Sequence, residues 1–239
     1  MHPASVFRET EAARLLAWVE AHPFMTLTAA PEGRPLLAHA PVVVRRLPEG
    51  LALDFHLARN NALVGALTAG FHGVLLQLGP DAYISPDWYG SADQVPTWNY
   101  VSIEIEGPVA VLNDAGLIAQ LDALSAQEEG RLAPKPPWTR AKMTPGVFER
   151  MSRAIIGARM TVERLEGTFK LGQNKSEIDV EGAEIAVLSG MKNLLEQYFP
   201  IIICETHGTL DEVRDYLLKF GYTTDVLTDG YHIIARKKS

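Results

Sequence analysis

Two short stretches of this sequence place cations where an anionic ligand could use them. In Phe55-His56-Leu57-Ala58-Arg59-Asn60-Asn61 a strand-like run gives way to a helical one, so Arg59 is expected beside free backbone N–H groups at the positive end of a helix dipole. A guanidinium there suits a phosphate. The competing reading is that Asn60 caps the helix while Arg59 lies in water. His56 reads as a half-buried strand residue, with a ligand contact as the alternative. The second stretch, Lys170-Leu171-Gly172-Gln173-Asn174-Lys175, closes the last strand of the first part of the chain. Its ammonium and amide groups suit a phosphate or the carbonyl edge of a flavin ring, whose anionic reduced form a nearby cation stabilises. A solvated strand end is the plainer alternative. Between them lies Asp81 to Tyr100, in which Tyr83, Trp88, Tyr89, Trp98 and Tyr100 alternate with Ser, Asp, Asn and Pro. Aromatic bodies with polar tips fit a planar, partly polar ligand; a surface loop pinned by its aromatics is the other reading.

Other chemistry is poorly supplied. His39 and His72 lack carboxylate or thiol partners at ligand spacing, and Glu205-Thr206-His207 offers two ligands without a third, so no metal site is expected. No nucleophile sits in an elbow motif. The one cysteine, Cys204, follows Ile201-Ile202-Ile203 and reads as a buried, inert thiol. Whatever chemistry the chain performs therefore belongs to a bound cofactor. A formal net charge of -7 argues against a broad nucleic-acid-binding face, although a local basic patch stays compatible with it. The sequence has no apolar run long enough to cross a membrane and no apolar signal core near Met1, so a cytoplasmic protein is expected.

Periodicity supplies the elements that must hold these residues. Thr10 is the expected cap of a first helix carrying Leu15, Leu16 and Val19 on one face and stopping at His22-Pro23. Phe24 to Ala29 and Leu36 to Val44 read as a hairpin, and Pro48-Glu49-Gly50 turns into a strand from Leu51 to Leu57. A short helix, Ala62 to Ala69, precedes a strand at Val74 to Leu78. Val101, Ile103 and Ile105 alternate with polar residues in a strand running past Gly107-Pro108 to Leu112. Asp114 is the expected cap of a helix striped by Leu117, Ile118, Leu121 and Leu124; Thr144 caps another, and a single strand is expected from Arg159 to Leu171. Many antiparallel strands with helices outside predict a small β-barrel. Near residue 175 the character changes, Lys and Ile becoming frequent. A helix over Ile185 to Leu195, a strand Ile201 to Cys204, a helix opened by Thr209 and ended by Gly221, and a hairpin turning at Asp229-Gly230 predict an α/β tail.

Residues 1 to about 175 resemble the PaiB-like family of FMN-binding negative transcriptional regulators. The likeness rests on Phe55 to Asn61, Gly79-Pro80-Asp81-Ala82-Tyr83-Ile84-Ser85-Pro86-Asp87-Trp88-Tyr89, Val95-Pro96-Thr97-Trp98-Asn99-Tyr100 and Leu165 to Lys175, in that order. It implies an FMN-binding split β-barrel with peripheral helices, related to pyridoxamine-phosphate oxidases and flavin reductases and forming a homodimer with FMN at the subunit interface. On that resemblance Arg59, with Asn60 and Lys175, would hold the phosphate, while Ser85, Trp98, Asn99, Lys170 and Gln173 would line the ring and ribityl region; His56 and Asn174 belong to the same motifs. Gly172 stands where the family pattern has Ser. Electron transfer through FMN from a reduced nicotinamide and transcriptional regulation with FMN as a ligand are both implied, and no basic recognition helix is apparent for direct DNA binding. The tail is similar to the C-terminal part of FkbM-type methyltransferases through Ile178 to Glu184, Val187-Leu188-Ser189-Gly190 and Pro200 to Glu205. The Gly-rich turn that would bind S-adenosylmethionine is absent. The expected organisation is thus a split-barrel domain over 1–176 joined to a truncated, Rossmann-like α/β module over 177–239.

Overall fold

The computed structural model describes residues 2–89, 93–173, 184–197, 202–206, 208–227 and 232–237. These fall into two compact units, one within residues 9–78 and 102–167, the other within residues 2–8, 79–101 and 168–239. Expectations resting on Asn174, Lys175, Ile201 and Asp229-Gly230 lie outside the described residues, as do the side chains of Trp88 and Tyr89.

Strands β1 (Arg8–Glu9), β2 (Phe24–Ala29), β3 (Leu36–Pro41), β4 (Val43–Leu47), β5 (Gly50–Ala58), β6 (Phe71–Ile84), β7 (Thr97–Val111), β8 (Ile155–Thr161) and β9 (Arg164–Lys170) form a nine-stranded sheet. Its order is β3-β2-β6-β7-β8-β5-β4, with β9 joined to β7 and β1 to β9. The pairs β2–β3, β2–β6, β4–β5, β5–β8 and β7–β8 are antiparallel. This is the small β-barrel that the alternation predicted, of the split type that the family resemblance implied. In the first unit the core is built from inward strand residues: Met25, Leu27, Leu53, Phe55, Leu75, Ile103, Ile105 and Met160 are all buried. Helix α1 (Ala12–Ala21) adds Leu15, Leu16 and Val19 to the buried set.

Several boundaries differ from expectation. The run Leu36 to Val44 is two strands: β3 pairs with β2, Val42 continues toward Pro23 by donating its N–H to Pro23 O at 2.9 Å, and from Val43 the chain pairs with β5. Likewise Arg159 to Leu171 is divided at Val162 and Glu163, whose N–H groups donate to Leu51 O and Glu106 O at 2.9 Å each. Gly107 marks a close crossing in β7: a Cβ there would lie 1.8 Å from Thr161 O. Beyond Gly107-Pro108, Val109 to Val111 pair with β8.

Helix starts are also served by other residues than expected. The Glu9 carboxylate, not Thr10, takes the N–H groups of Thr10 and Glu11 at the start of α1. Asn113, not Asp114, caps α3 (Asp114–Gly130), its Oδ1 accepting from Gly116 N at 2.8 Å. The helix after Arg59, α2, is only Val64–Leu67, and α4 (Val147–Ser152) starts from Gly146 at φ 79° with no side-chain cap, so Thr144 does not serve it.

In the second unit the tail contains α5 (Glu184–Gly190), α6 (Lys192–Gln197), β10 (Ile202–Glu205), α7 (Leu210–Leu218), β11 (Tyr222–Val226) and β12 (His232–Lys237). The predicted Ile185 to Leu195 helix is thus two helices. β12 lies between β10 and β11 and runs against both. Leu188, Leu195, Val213 and Leu217 from the helices bury one face of this sheet, carrying Ile202, Tyr222, Ile233 and Ala235. Thr209 makes no side-chain cap, so the capping box read from the sequence is not formed. Cys204 is half-buried against this core.

Candidate functional site

In the first unit Arg59 leaves β5 with its main chain and side chain both tied down. Its N–H donates to Ala154 O at 2.9 Å and its Nε to Arg153 O at 2.7 Å, so the stem is fixed and the guanidinium remains exposed. The turn beyond it is made by Asn61, whose N–H donates to Ala58 O at 2.9 Å and whose Oδ1 accepts from Leu63 N at 3.0 Å. Asn61, rather than Asn60, therefore answers the orphan N–H groups at this point. With one helical turn following, the dipole adds little, and the guanidinium itself is the anion-binding element. Asn60 is exposed beside it.

His56 is engaged elsewhere. Its Nδ1 lies 3.0 Å from Oε1 of Gln120 on α3, and Gln120 is fully buried, its Nε2 without a partner among the described residues. Across the ladder from His56 stands Gly157, where an added Cβ would come within 3.2 Å of the Leu117 side chain, so α3 seats directly on the β8 backbone. The structure thus gives His56 a helix-to-sheet hydrogen bond.

A second polar group on the same face was not foreseen. Asp54, buried in β5, accepts from Arg45 Nε at 2.9 Å and from Arg159 Nε and Nη2 at 2.6 and 2.9 Å, while Arg45 also donates to Ala119 O. Hydrogen bonding to Asp54 raises the Arg159 pKa further above its ordinary value. The group binds β4, β5, β8 and α3 together. An acid inside the apolar run Leu51 to Leu57 was the available signal; its partners depend on register, Arg159 lying directly across from Asp54.

In the second unit Lys170, at the end of β9, is held by neighbours from two segments. Its Nζ donates to Thr97 Oγ1 and Trp98 O at 2.5 Å each and lies 5.7 Å from the centroid of the Phe7 ring. Thr97, the Trp98 carbonyl and Phe7 thus bring two other segments of this unit onto the end of β9. Beside it the Trp98 ring is 54% exposed and meets Tyr83 edge-on, 5.9 Å between centroids. Ser85 Oγ accepts from Asp87 N at 3.3 Å. Gln173 turns its amide into its own loop: Oε1 accepts from Leu171 N at 2.7 Å, and Nε2 donates to Phe169 O and, at 3.4 Å, to Val6 O. Gly172 has φ 89°, a left-handed conformation that side chains rarely adopt, which accounts for glycine where the family pattern has Ser. Asn99 lies beside it, 3.8 Å from where a Gly172 Cβ would stand. Within the first unit the exposed Arg59 fork suits an anion, and within the second the Lys170 ammonium lies beside the exposed Trp98 and the Ser85 hydroxyl. Among the described residues no group of acids, histidines and cysteine could hold a metal ion, and no helix is long and apolar enough to cross a membrane.

Known proteins resemble both parts of the chain. Residues 1–164 match the model of a family described as "Putative FMN-binding domain", and residues 177–224 match the methyltransferase FkbM domain. The protease synthase and sporulation protein PAI 2 of Bacillus subtilis is 27% identical over 179 residues, covering 75% of this chain and 85% of that protein. An uncharacterized protein of Emericella nidulans is 29% identical, covering 58% of this chain and 65% of its own length. Among solved structures, the FAD and heme binding protein of Mycobacterium smegmatis superposes with a TM-score of 0.50 at 18% identity, covering 70% of this chain and 74% of that one. A conserved hypothetical protein of Mycobacterium tuberculosis does so with a TM-score of 0.50 at 13% identity, covering 74% and 95%. At such identities these two bear on the fold alone.

Proposed function

This chain belongs to the FMN-binding domain family, with a split barrel for its fold and FMN for its cofactor, and from that premise we propose how its residues divide the work. Arg59 takes the phosphate, with Asn60 and Lys175 assisting, while Lys170, Trp98, Asn99 and Ser85 meet the ring and ribityl chain. Bound FMN supplies the capacity to accept a hydride and pass electrons on, here from a reduced nicotinamide. The protein's own part is to fix a cation near the ring, where it favours the anionic reduced form, and to offer Trp98 and Tyr83 as apolar walls. The observation that carries this reading is the Lys170 side chain at the end of β9, where Nζ donates to Thr97 Oγ1 and Trp98 O beside the exposed Trp98. Titrating purified protein with FMN, with flavin fluorescence quenching as readout, tests it. Saturable binding lost on Lys170→Met is expected; unchanged binding in that variant sinks the assignment.

A regulatory role is the second reading, favoured by the likeness to the Bacillus subtilis sporulation protein. Oxidation of reduced nicotinamide by the FMN-loaded protein discriminates the two. Either role places the protein in the cytoplasm.

Assembly follows from an exposed apolar face of the first unit. On β2 and β3 the outward residues include Phe24 and Leu37, each 65% exposed, and on β6 Leu78 is 68% exposed. Thr26 pairs with His39 on one side and Leu76 on the other, so these outward positions form one continuous surface. A second copy covering it gives the homodimer. Sedimentation should find a dimer that Phe24→Glu with Leu37→Glu converts to monomer; a wild-type monomer at micromolar concentration excludes it. The two matched segments, 1–164 and 177–224, favour a barrel module over 1–176 and a tail module over 177–239. Removal of residues 180–239 then leaves flavin binding in place, and the chain takes no S-adenosylmethionine.

A further inference from the structure

We propose that Arg150 and Arg153 dock the phosphate groups of the reduced nicotinamide dinucleotide beside Arg59; the inference rests on the flavin reading above. Within the first unit the cations from Arg131 to Arg153 divide into two sets. Arg131 pairs with Glu128 at 3.3 Å, Arg140 with Asp122 at 3.0 Å and Lys135 with Glu129, while Lys142 donates to Pro137 O at 2.8 Å. Arg150 and Arg153 are exposed, as is Arg59, and none of the three pairs with an acid among the described residues. Arg150 lies in α4, and Arg153 keeps helical backbone angles, φ -64° and ψ -19°, so these two side chains share one face. The Arg59 Nε donates to Arg153 O at 2.7 Å, which seats its guanidinium against the main chain where α4 ends.

Three guanidinium groups on one small surface repel one another, and anions bound there relieve the repulsion. A phosphate monoester carries a charge of about -1.5 to -2 at neutral pH, so one guanidinium leaves the FMN phosphate partly charged. A nicotinamide dinucleotide approaching the same flavin brings phosphates of its own and meets that charge. Arg150 and Arg153 supply the cations that offset it. Screening sets in over about 8 Å at physiological ionic strength, more than one helical turn, so both act on a phosphate that lies beside the FMN phosphate. Their planar forks match phosphate oxygens. A helix dipole explains the two arginines poorly, because α4 has only 6 residues. The phosphate they take has two sources: the pyrophosphate bridge common to NADH and NADPH, and the ribose 2′-phosphate of NADPH alone.

The test is titration calorimetry of the full, FMN-loaded chain with NAD+ and NADP+, which bind without electron transfer, alongside FMN and riboflavin dissociation constants of the flavin-free chain. Arg150→Gln with Arg153→Gln keeps the main-chain carbonyl that holds Arg59. The double variant is expected to weaken dinucleotide binding by about 10- to 25-fold, each single variant by about three- to fivefold, and FMN by less than about twofold. A loss confined to NADP+ identifies the 2′-phosphate, and an equal loss for both identifies the pyrophosphate. If the double variant melts early, the single variants carry the test. Unchanged dinucleotide affinity in a folded variant overturns the inference, as does a loss of FMN relative to riboflavin, which would assign the two arginines to the FMN phosphate. An FMN-loaded wild-type chain that takes neither dinucleotide overturns it while flavin binding stands. Failure of the wild-type chain to bind FMN removes the flavin reading as well.

Discussion

Replacing Arg59 by alanine separates phosphate recognition from ring recognition. Two main-chain carbonyls hold the residue, Ala154 O through its N–H and Arg153 O through Nε, so the outer fork is oriented before any ligand arrives. A charge-assisted hydrogen bond is worth about 1.5 to 3 kcal/mol, and a guanidinium can make two to one phosphate. The side chain is exposed, which screens the interaction, so the total should stay near 2 to 3 kcal/mol, or about 30- to 150-fold in dissociation constant. The single turn of α2 contributes little, because Asn61 already takes the Leu63 N–H. FMN should therefore weaken by that factor while riboflavin changes by less than about twofold. Arg59→Lys should fall between, since it keeps the charge but loses the fork and the Arg153 anchor. Parallel fluorescence titrations of the two flavins at fixed ionic strength measure this, with a thermal melt to show that folding is unchanged. An equal loss for both ligands, or no loss for FMN, would refute Arg59 as the phosphate anchor.

Asp54→Ala leaves two guanidinium groups without their carboxylate and should lower unfolding free energy by about 3 kcal/mol, near the low end for a broken buried pair because both arginines are partly exposed; a loss under about 1 kcal/mol in urea would contradict the role given to it. Gly107→Ala drives a methyl group into Thr161 O, a backbone atom that cannot turn aside, and should cost about 3 kcal/mol by the same assay. A silent substitution there would mean that β7 and β8 are farther apart than described. In the tail, burial pushes the Tyr222 pKa up, and its hydroxyl has no hydrogen-bond partner among the described residues. The unfolded tyrosine ionises near pH 10 and the folded one higher, so tail stability is full below about pH 10 and declines as pH rises toward the folded value. Tyr222→Phe should remove that alkaline decline at no cost in stability at neutral pH; a decline that persists in the variant assigns it to another group.

The elements of the barrel were legible because burying one face of a strand or helix imposes its period on the residues. Alternation through Val101, Ile103 and Ile105 and the stripe Leu15, Leu16, Val19 each locate a buried surface without reference to the rest of the chain. The candidate site was legible in the same local sense. Arg59 and Lys170 stand at strand ends, and their neighbours carry the family's motifs. Caps were misassigned by a residue or two, as with Glu9 for Thr10, Asn113 for Asp114 and Asn61 for Asn60, because adjacent polar side chains compete for the same N–H groups and backbone angles decide among them. Nor can alternation mark where a strand changes partners, so Leu36 to Val44 and Arg159 to Leu171 each read as one strand. Only the tertiary structure decided the long-range pairings: Asp54 with Arg45 and Arg159, His56 with Gln120, Lys170 with Thr97 and Phe7. A segment's sequence fixes what its surface needs, an apolar cover or a counter-charge, whereas sheet register and helix seating across the whole chain determine which distant residue supplies it.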